Sequence, residues 1–444
     1  MQQATVSNAC FLLYLFFVLD FFLRFSARIP GYGALRPTLL LFALVGGGLF
    51  LNRDKLRGRF SDPIFRAVFV LLGYILVTLP LVEWPGSVIR HHLDTFVLAI
   101  VFLFFTALII DTDRRLRWFL FVFVACQVFR VLEPLYLNLT QGYWGSDTYL
   151  GQGQFADRLA GAPADVINPN ELGFVIVTAI PFLHYLLFPL GWKSKCLYFA
   201  LLPALLYALM LTMSRGAFLA LLVVAFMIFK ESRHKLVLIG VILALAAAGW
   251  SQMTDTQRER YLSLVDTDSE GGTSVQGRIG GMKQELRLGL ERPLVGHGLG
   301  TTPEAKVHAF GSDQASHNLY AEVMIELGVV GAVLFLRFLW TIYRQLAENR
   351  RRFQRIQLSG KDLYSRLNTA MIAVFWMYAV YSVNYWGLSQ YYWYLFGGLA
   401  IAFGRLLQIR EEQHRQEAQP TGSGLARTGP RYPLGRRSLR INRN

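Results

Sequence analysis

Arg215, Arg278 and His317 are the residues whose types and settings suit group-transfer chemistry. Arg215 stands in Met213-Ser214-Arg215-Gly216, where one apolar stretch ends and the next begins at once. Charge at or within a bilayer is costly and usually functional. A guanidinium at such a turn can meet a lipid headgroup or polyprenyl phosphate, or it can simply snorkel to the interface. Gly216 is expected to supply the backbone freedom of the turn. Arg278, in Gly277-Arg278-Ile279-Gly280-Gly281, opens a helical periodicity over 275–291 that places Ile279, Leu286 and Leu290 on one face. It could pair with Glu285 on the same helix, or join Arg215 in chelating a diphosphate, which suits a planar fork. His317 lies in Ser316-His317-Asn318-Leu319-Tyr320-Ala321-Glu322, directly before an apolar helix for which Ser316 is the expected N-cap. A histidine there can accept a hydroxyl proton near neutral pH. The alternative is a surface histidine bonded to a loop carbonyl.

Other patterns carry less. Asp111-Thr112-Asp113 and Asp266-Thr267-Asp268 match the acidic pair that holds a divalent metal in many glycosyltransferases, but such short matches arise by chance and no metal is expected. Gly296-His297-Gly298-Leu299-Gly300 is a glycine-rich turn without the strand–helix context of a nucleotide fold. Asn138-Leu139-Thr140 fits a glycosylation sequon only weakly. Cys10, Cys126 and Cys196 fall in or beside apolar segments, with neither disulfide nor zinc spacing.

The elements that must position these residues are membrane helices. Of 444 residues 54% are hydrophobic and 16% charged, against roughly 25% charged in soluble proteins, and the mean hydropathy is +0.37. Apolar runs recur at 8–25, 36–51, 64–83, 93–110, 116–135, 170–190, 196–213, 216–229, 236–251, 318–342, 369–386 and 389–408. Many are long enough to cross ~30 Å of hydrocarbon, which predicts an all-α polytopic membrane protein of about 12 transmembrane helices. The first run lacks a small-residue cleavage site and reads as a retained helix. The net charge of +15 does not point to nucleic acid, because Lys and Arg concentrate in short loops and the tail. Lys55, Arg57, Arg114, Arg115, Lys193, Lys195, Lys230, Lys235, Arg350–Arg352 and the tail Arg436, Arg437 and Arg440 share one side, so the positive-inside rule puts both termini in the cytoplasm. Helices 1–9 then span 1–251, with an outer loop near 136–169. A large outer loop containing helices covers 252–317, helices 10–12 cover 318–408, and a basic, polar, disordered tail runs over 409–444.

Read in order, these motifs resemble the bacterial O-antigen ligase and polymerase superfamily, which also includes O-linked oligosaccharyltransferases. The resemblance rests on Asn168-Pro169-Asn170-Glu171-Leu172-Gly173, Ser214-Arg215-Gly216, Gly277-Arg278, Arg292-Pro293-Leu294-Val295-Gly296-His297-Gly298-Leu299-Gly300, and Ser316 to Gly331, SHNLYAEVMIELGVVG. It covers about 60–405. It implies a metal-independent, inverting glycosyl transfer, without cofactor, from a glycan on undecaprenyl diphosphate at the periplasmic face of the inner membrane. By that resemblance Arg215 and Arg278 grip the donor diphosphate, with Arg90, beside His91 and His92, as a third basic contact. His317 orients or deprotonates the acceptor hydroxyl, with Asn318, Tyr320 and Asn170 supporting. Ligation onto lipid A–core is the leading reading, followed by repeat-unit polymerisation and then protein O-glycosylation.

A polysaccharide or lipid transporter is the rival of another class. It would carry ionisable residues deep within its spans. Asp20 with Arg24 and Arg130 with Glu133 are the candidates, each expected to pair locally.

Overall fold

The computed structural model describes residues 5–151, 154–253, 258, 272–311, 316–360, 362–385 and 387–418. Every predicted apolar run is helical over most of its length, as it must be where the backbone can bond only to itself. Among the described residues six helices are long and apolar enough to cross a membrane: Pro63–Leu81, Pro85–Ile109, Asp113–Gln141, Pro169–Leu190, Trp192–Thr212 and Leu319–Arg355. Asn8–Leu23 and Pro37–Leu51 are shorter apolar helices. The last helix, Tyr391–Ala418, runs past the expected end near 408 and packs along Leu93–Ile109. Phe174, Tyr378, Tyr381, Tyr385 and Tyr392 form an aromatic knot where Pro169–Phe182 meets Leu363–Tyr381.

Polar contacts gather at two ends of this bundle. At one, Asp111 is buried and accepts from Arg115 Nη1 at 2.7 Å, Arg59 Nη2 at 3.2 Å and the Val6 amide at 2.8 Å. Asp113 accepts from the Tyr364 hydroxyl. The first acidic pair is therefore engaged in holding the N-terminal segment and helix ends together, and the second lies outside the described residues. At the other end are Arg28–Glu133, Arg130–Asp165, Arg158, Arg215 and His317.

Several expectations need correction. The helical class stands, with one addition that lies in the first long loop: Gly145–Gly151 and Gln154–Leu159 pair as an antiparallel hairpin. Arg130 does not pair with Glu133. Its Nε donates to Asp165 at 2.6 Å, while Glu133 takes Arg28, because the loop and the short helix after Leu23 bring those partners in from outside the helix. Arg24 lies over the Phe21 ring at 5.6 Å. The helix Gly272–Glu291 begins slightly earlier than predicted, and it buries Glu285 and Leu288, not the Leu286 and Leu290 face. Lys306 binds Glu285 at 2.5 Å, and Gly289 approaches Met324 closely, so the ion pair and the small residue set which face turns inward. Lys306 thus holds the Glu285 carboxylate, and the alternative pairing of Arg278 with Glu285 falls on a side chain outside the described residues.

Candidate functional site

Asn168-Pro169-Asn170-Glu171 forms a capping box. The Asn168 side chain accepts from the amides of Asn170 (2.9 Å) and Glu171 (3.0 Å), and Glu171 Oε2 accepts from the Asn168 amide at 3.1 Å. Pro169 occupies the first turn, where its missing N–H costs nothing. One turn on, a Cβ at Gly173 would lie 2.6 Å from the Ala217 Cβ and 3.2 Å from the Ser214 Cβ. Only glycine lets this helix press against the start of Arg215–Glu231. Two motifs distant in sequence therefore touch, and Arg215 heads its helix at the contact with 5% exposure. The turn itself is made by Met213, at φ 47°, with Ser214 capping the Ala217 amide. Gly216 does not supply the turn's backbone freedom, and a Cβ there would meet the Asn384 Cβ at 3.4 Å, an ordinary contact that places this helix start against the Tyr381–Tyr385 connection.

The sequence reading missed Arg158. It comes from the second hairpin strand, is buried, and donates from Nε to the Thr212 carbonyl at 2.8 Å and from Nη2 to the Asn170 amide oxygen at 3.0 Å. It thereby ties the hairpin to both motifs, three residues before Arg215. The Arg130–Asp165 pair anchors the loop between hairpin and capping box. A basic residue in a short polar loop was the only available signal.

The His317 motif arrives at the same place. Asn318, not Ser316, is the N-cap: its side chain accepts from the Tyr320 amide at 2.9 Å and the Ala321 amide at 3.3 Å. The Ser316 hydroxyl instead accepts from the Asn318 amide at 3.1 Å, bracing the cap. The Leu319 amide donates to the Tyr385 carbonyl at 2.9 Å, and the Tyr320 hydroxyl to the Ala379 carbonyl at 2.8 Å. The Tyr381 hydroxyl donates to the Asn170 carbonyl at 2.5 Å. The connection from Tyr381 to Tyr385 thus touches the Asn170, Gly216 and Leu319 regions together. Glu322 fixes the next stretch of that connection by accepting from the Gly387 and Leu388 amides at 2.7 and 3.1 Å. His317 itself is exposed.

The glycine-rich turn has a structural task that its sequence concealed. The helix Leu319–Arg355 is interrupted at Gly328, at φ 67° and ψ −174°. A break exposes main-chain groups that need partners. Residues 293–300 supply them: Val329 donates to the Pro293 carbonyl at 2.7 Å, His297 to Ile325 at 2.8 Å and Gly298 to Glu326 at 3.0 Å. The Glu326 carboxylate accepts from the Gly300 amide at 2.7 Å and the Thr302 hydroxyl at 2.8 Å. A Cβ at Gly296 would stand 2.4 Å from the Glu326 carbonyl carbon, and one at Gly328 would stand 2.7 Å from Leu294. The two motifs lock backbone to backbone, which requires glycine on both sides.

Arg278 sits near the start of Gly272–Glu291, whose later turns pack on the first turns of Leu319–Arg355; its side chain lies outside the described structure. Arg90 is exposed in the π-helical turn Val88–His92. In the same turn His92 Nε2 contacts Glu304 Oε1 at 2.9 Å, and the Ser87 hydroxyl donates to that oxygen at 2.7 Å. Burial alone would raise the Glu304 carboxyl, but the bonds from His92 and Ser87 outweigh it and hold the group below its ordinary value. Among the described residues no cluster of three or more His, Cys, Asp or Glu side chains could hold a metal ion.

This arrangement can hold an anion beside a buried guanidinium, with an exposed imidazole on a neighbouring, firmly capped helix. No curated protein matches the chain. Residues 199–336, which include Arg215, Arg278, the glycine-rich turn and His317, match the family model described as O-antigen ligase. Over that segment the motif resemblance and the family match agree, and the chain is similar there to O-antigen ligases.

Proposed function

We propose that this protein transfers a glycan from undecaprenyl diphosphate to an acceptor hydroxyl, by an inverting and metal-independent route, and that lipid A–core is the acceptor. In this reading the chain crosses the bacterial inner membrane about twelve times with both termini cytoplasmic, and its Arg215 end faces the periplasm. The basic-loop bias supports that orientation. The observation that carries the reading is the meeting of the Arg215 turn, the Asn170 capping box and the His317 helix start at the Tyr381–Tyr385 connection.

Arg215, with Arg278 and Arg90, holds the donor diphosphate. The acceptor oxygen bonds to the anomeric carbon as the bond from that carbon to the phosphate oxygen breaks, and the diphosphate departs with the electron pair. Guanidinium charge is most valuable at that moment, when negative charge grows on the leaving oxygen. His317 takes the acceptor proton. Asn318 and Tyr320 fix the helix that presents His317, and Asn170 links the Arg158 guanidinium to the capping box.

The test offers the purified protein lipid-linked glycan together with either lipid A–core or a second lipid-linked glycan. Product on lipid A–core is expected. Lengthened lipid-linked chains would reassign the enzyme to polymerisation, and the absence of both products would overturn the transferase reading in favour of a transporter.

A further inference from the structure

A cavity of about 260 Å³ at the Arg215 end takes no part in the reaction above. Its walls include Glu83, Trp84, Leu288, Arg292, His297 and His308. Trp84 stacks on His297, with ring centroids 5.6 Å apart and planes 19° from parallel. That imidazole is buried and held at both nitrogens, by Glu83 Oε2 at 2.5 Å and the Leu288 carbonyl at 3.2 Å, so the aromatic wall is rigid. At the rim, Arg292 and Glu83 are each about a third exposed, at 34% and 33%, with Nη1 and Oε2 3.7 Å apart. Arg292 Nη2 also donates to the Leu81 carbonyl at 3.1 Å, which fixes the plane of its fork.

A flat aromatic wall beside a fixed carboxylate and guanidinium is selective about what it accepts. A wholly apolar guest would strip water from both rim groups and return no hydrogen bonds. An anion would meet Glu83 and Glu291. A sugar ring satisfies both parts, laying a C–H face on the indole and offering vicinal hydroxyls to the two forks. The cavity also falls below the roughly 300–1,000 Å³ of pockets for drug-sized ligands, a size that suits one ring.

Its position agrees. His297 belongs to the segment that docks on the break at Gly328, and His317 immediately precedes the helical stretch that ends there. The stretch Leu319–Leu327 is about 13 Å long at 1.5 Å per residue. A glycan reacting near His317 would reach the cavity a few rings along its length.

We propose that the cavity walled by Trp84, Glu83 and Arg292 is a subsite for one pyranose unit of a glycan whose reacting end lies near His317. The proposal rests on the glycosyl-transfer reading, and the glycan belongs either to the donor or to the acceptor. The test uses full-length protein in nanodiscs and two soluble probes, the oligosaccharide cleaved from lipid A–core and the glycan released from the lipid-linked donor. Binding is followed by saturation-transfer NMR, alongside steady-state transfer. One probe should bind, and Trp84→Ala and Arg292→Gln should each weaken it about three- to tenfold, the scale of a single aromatic or polar contact. The KM of the matching substrate should rise by the same factor with kcat nearly constant, and Trp84→Phe should restore binding. The identity of that probe assigns the sugar to donor or acceptor. Should Trp84→Ala misfold, Arg292→Gln at the exposed rim decides alone. Binding and KM indifferent to these substitutions for both glycans would overturn the subsite. Trp84-dependent binding without any transfer would keep the subsite and remove the transferase reading.

Discussion

At the Asp111 end of the bundle, Arg59 and Arg115 close on opposite oxygens of one buried carboxylate, and the Val6 amide completes the shell. At the Arg215 end, Arg158 is held through Nε by a main-chain carbonyl and through Nη2 by an amide oxygen. Those two contacts orient the guanidinium between the hairpin and two helix ends. The contrast shows how one residue type serves two ends of the same bundle. Two arginines on one carboxylate knit helix ends together, whereas Arg158 on two neutral oxygens ties a hairpin strand to the Thr212 turn and the Asn170 capping box.

Asp111→Ala breaks the first half of that comparison and should have the largest effect on stability. It leaves two buried guanidiniums without their shared carboxylate, a loss of about 3–5 kcal/mol, visible as a lower unfolding midpoint of the detergent-purified protein. Transfer per folded molecule should be unchanged. Arg158→Ala probes the other half. Two oxygens left unpaired cost about 1–3 kcal/mol, less than at Asp111. Transfer, however, should fall by up to about 100-fold, because the Thr212–Arg215 turn loses its anchor. A stability loss with full transfer would place Arg158 in the same category as Arg59. The smallest effect concerns Glu304. Its carboxyl is held below its ordinary value, so the contribution is complete above the unfolded-state value near 4.5 and is lost as pH falls through the depressed folded-state value. Amide exchange in Thr302–Phe310 should therefore quicken as the solution is acidified below about pH 4.5, the ordinary Glu range. Glu304→Gln should abolish that dependence, and a flat profile in the unsubstituted protein would show that the His92 and Ser87 contacts do not restrain this helix.

Much of this architecture was legible in sequence because a membrane helix is written in composition: a run such as 93–110 needs no partner to declare itself. The sites of Arg215 and His317 were legible because each interrupts or precedes such a run. Arg158 was hidden in Gln154–Leu159, a polar strand without apolar alternation, stabilised by contacts to residues 12 and 54 positions away. Arg130 has a ready partner by spacing in Glu133, one turn on, yet takes Asp165, since pairing across a fold depends on where loops return and not on spacing. Gly328 sits inside an unbroken apolar pattern, and its break becomes intelligible only with the Arg292–Gly300 segment docked against it.

The central claim, that Arg215, Arg278 and His317 form the transfer site, is tested most directly by substituting each with alanine. The variants should be assayed with purified lipid-linked glycan and acceptor at matched membrane levels. Each should lose at least about 100-fold in transfer while remaining folded, the scale expected when a charge-stabilising donor is removed. Transfer at the unsubstituted rate by all three variants would contradict the account.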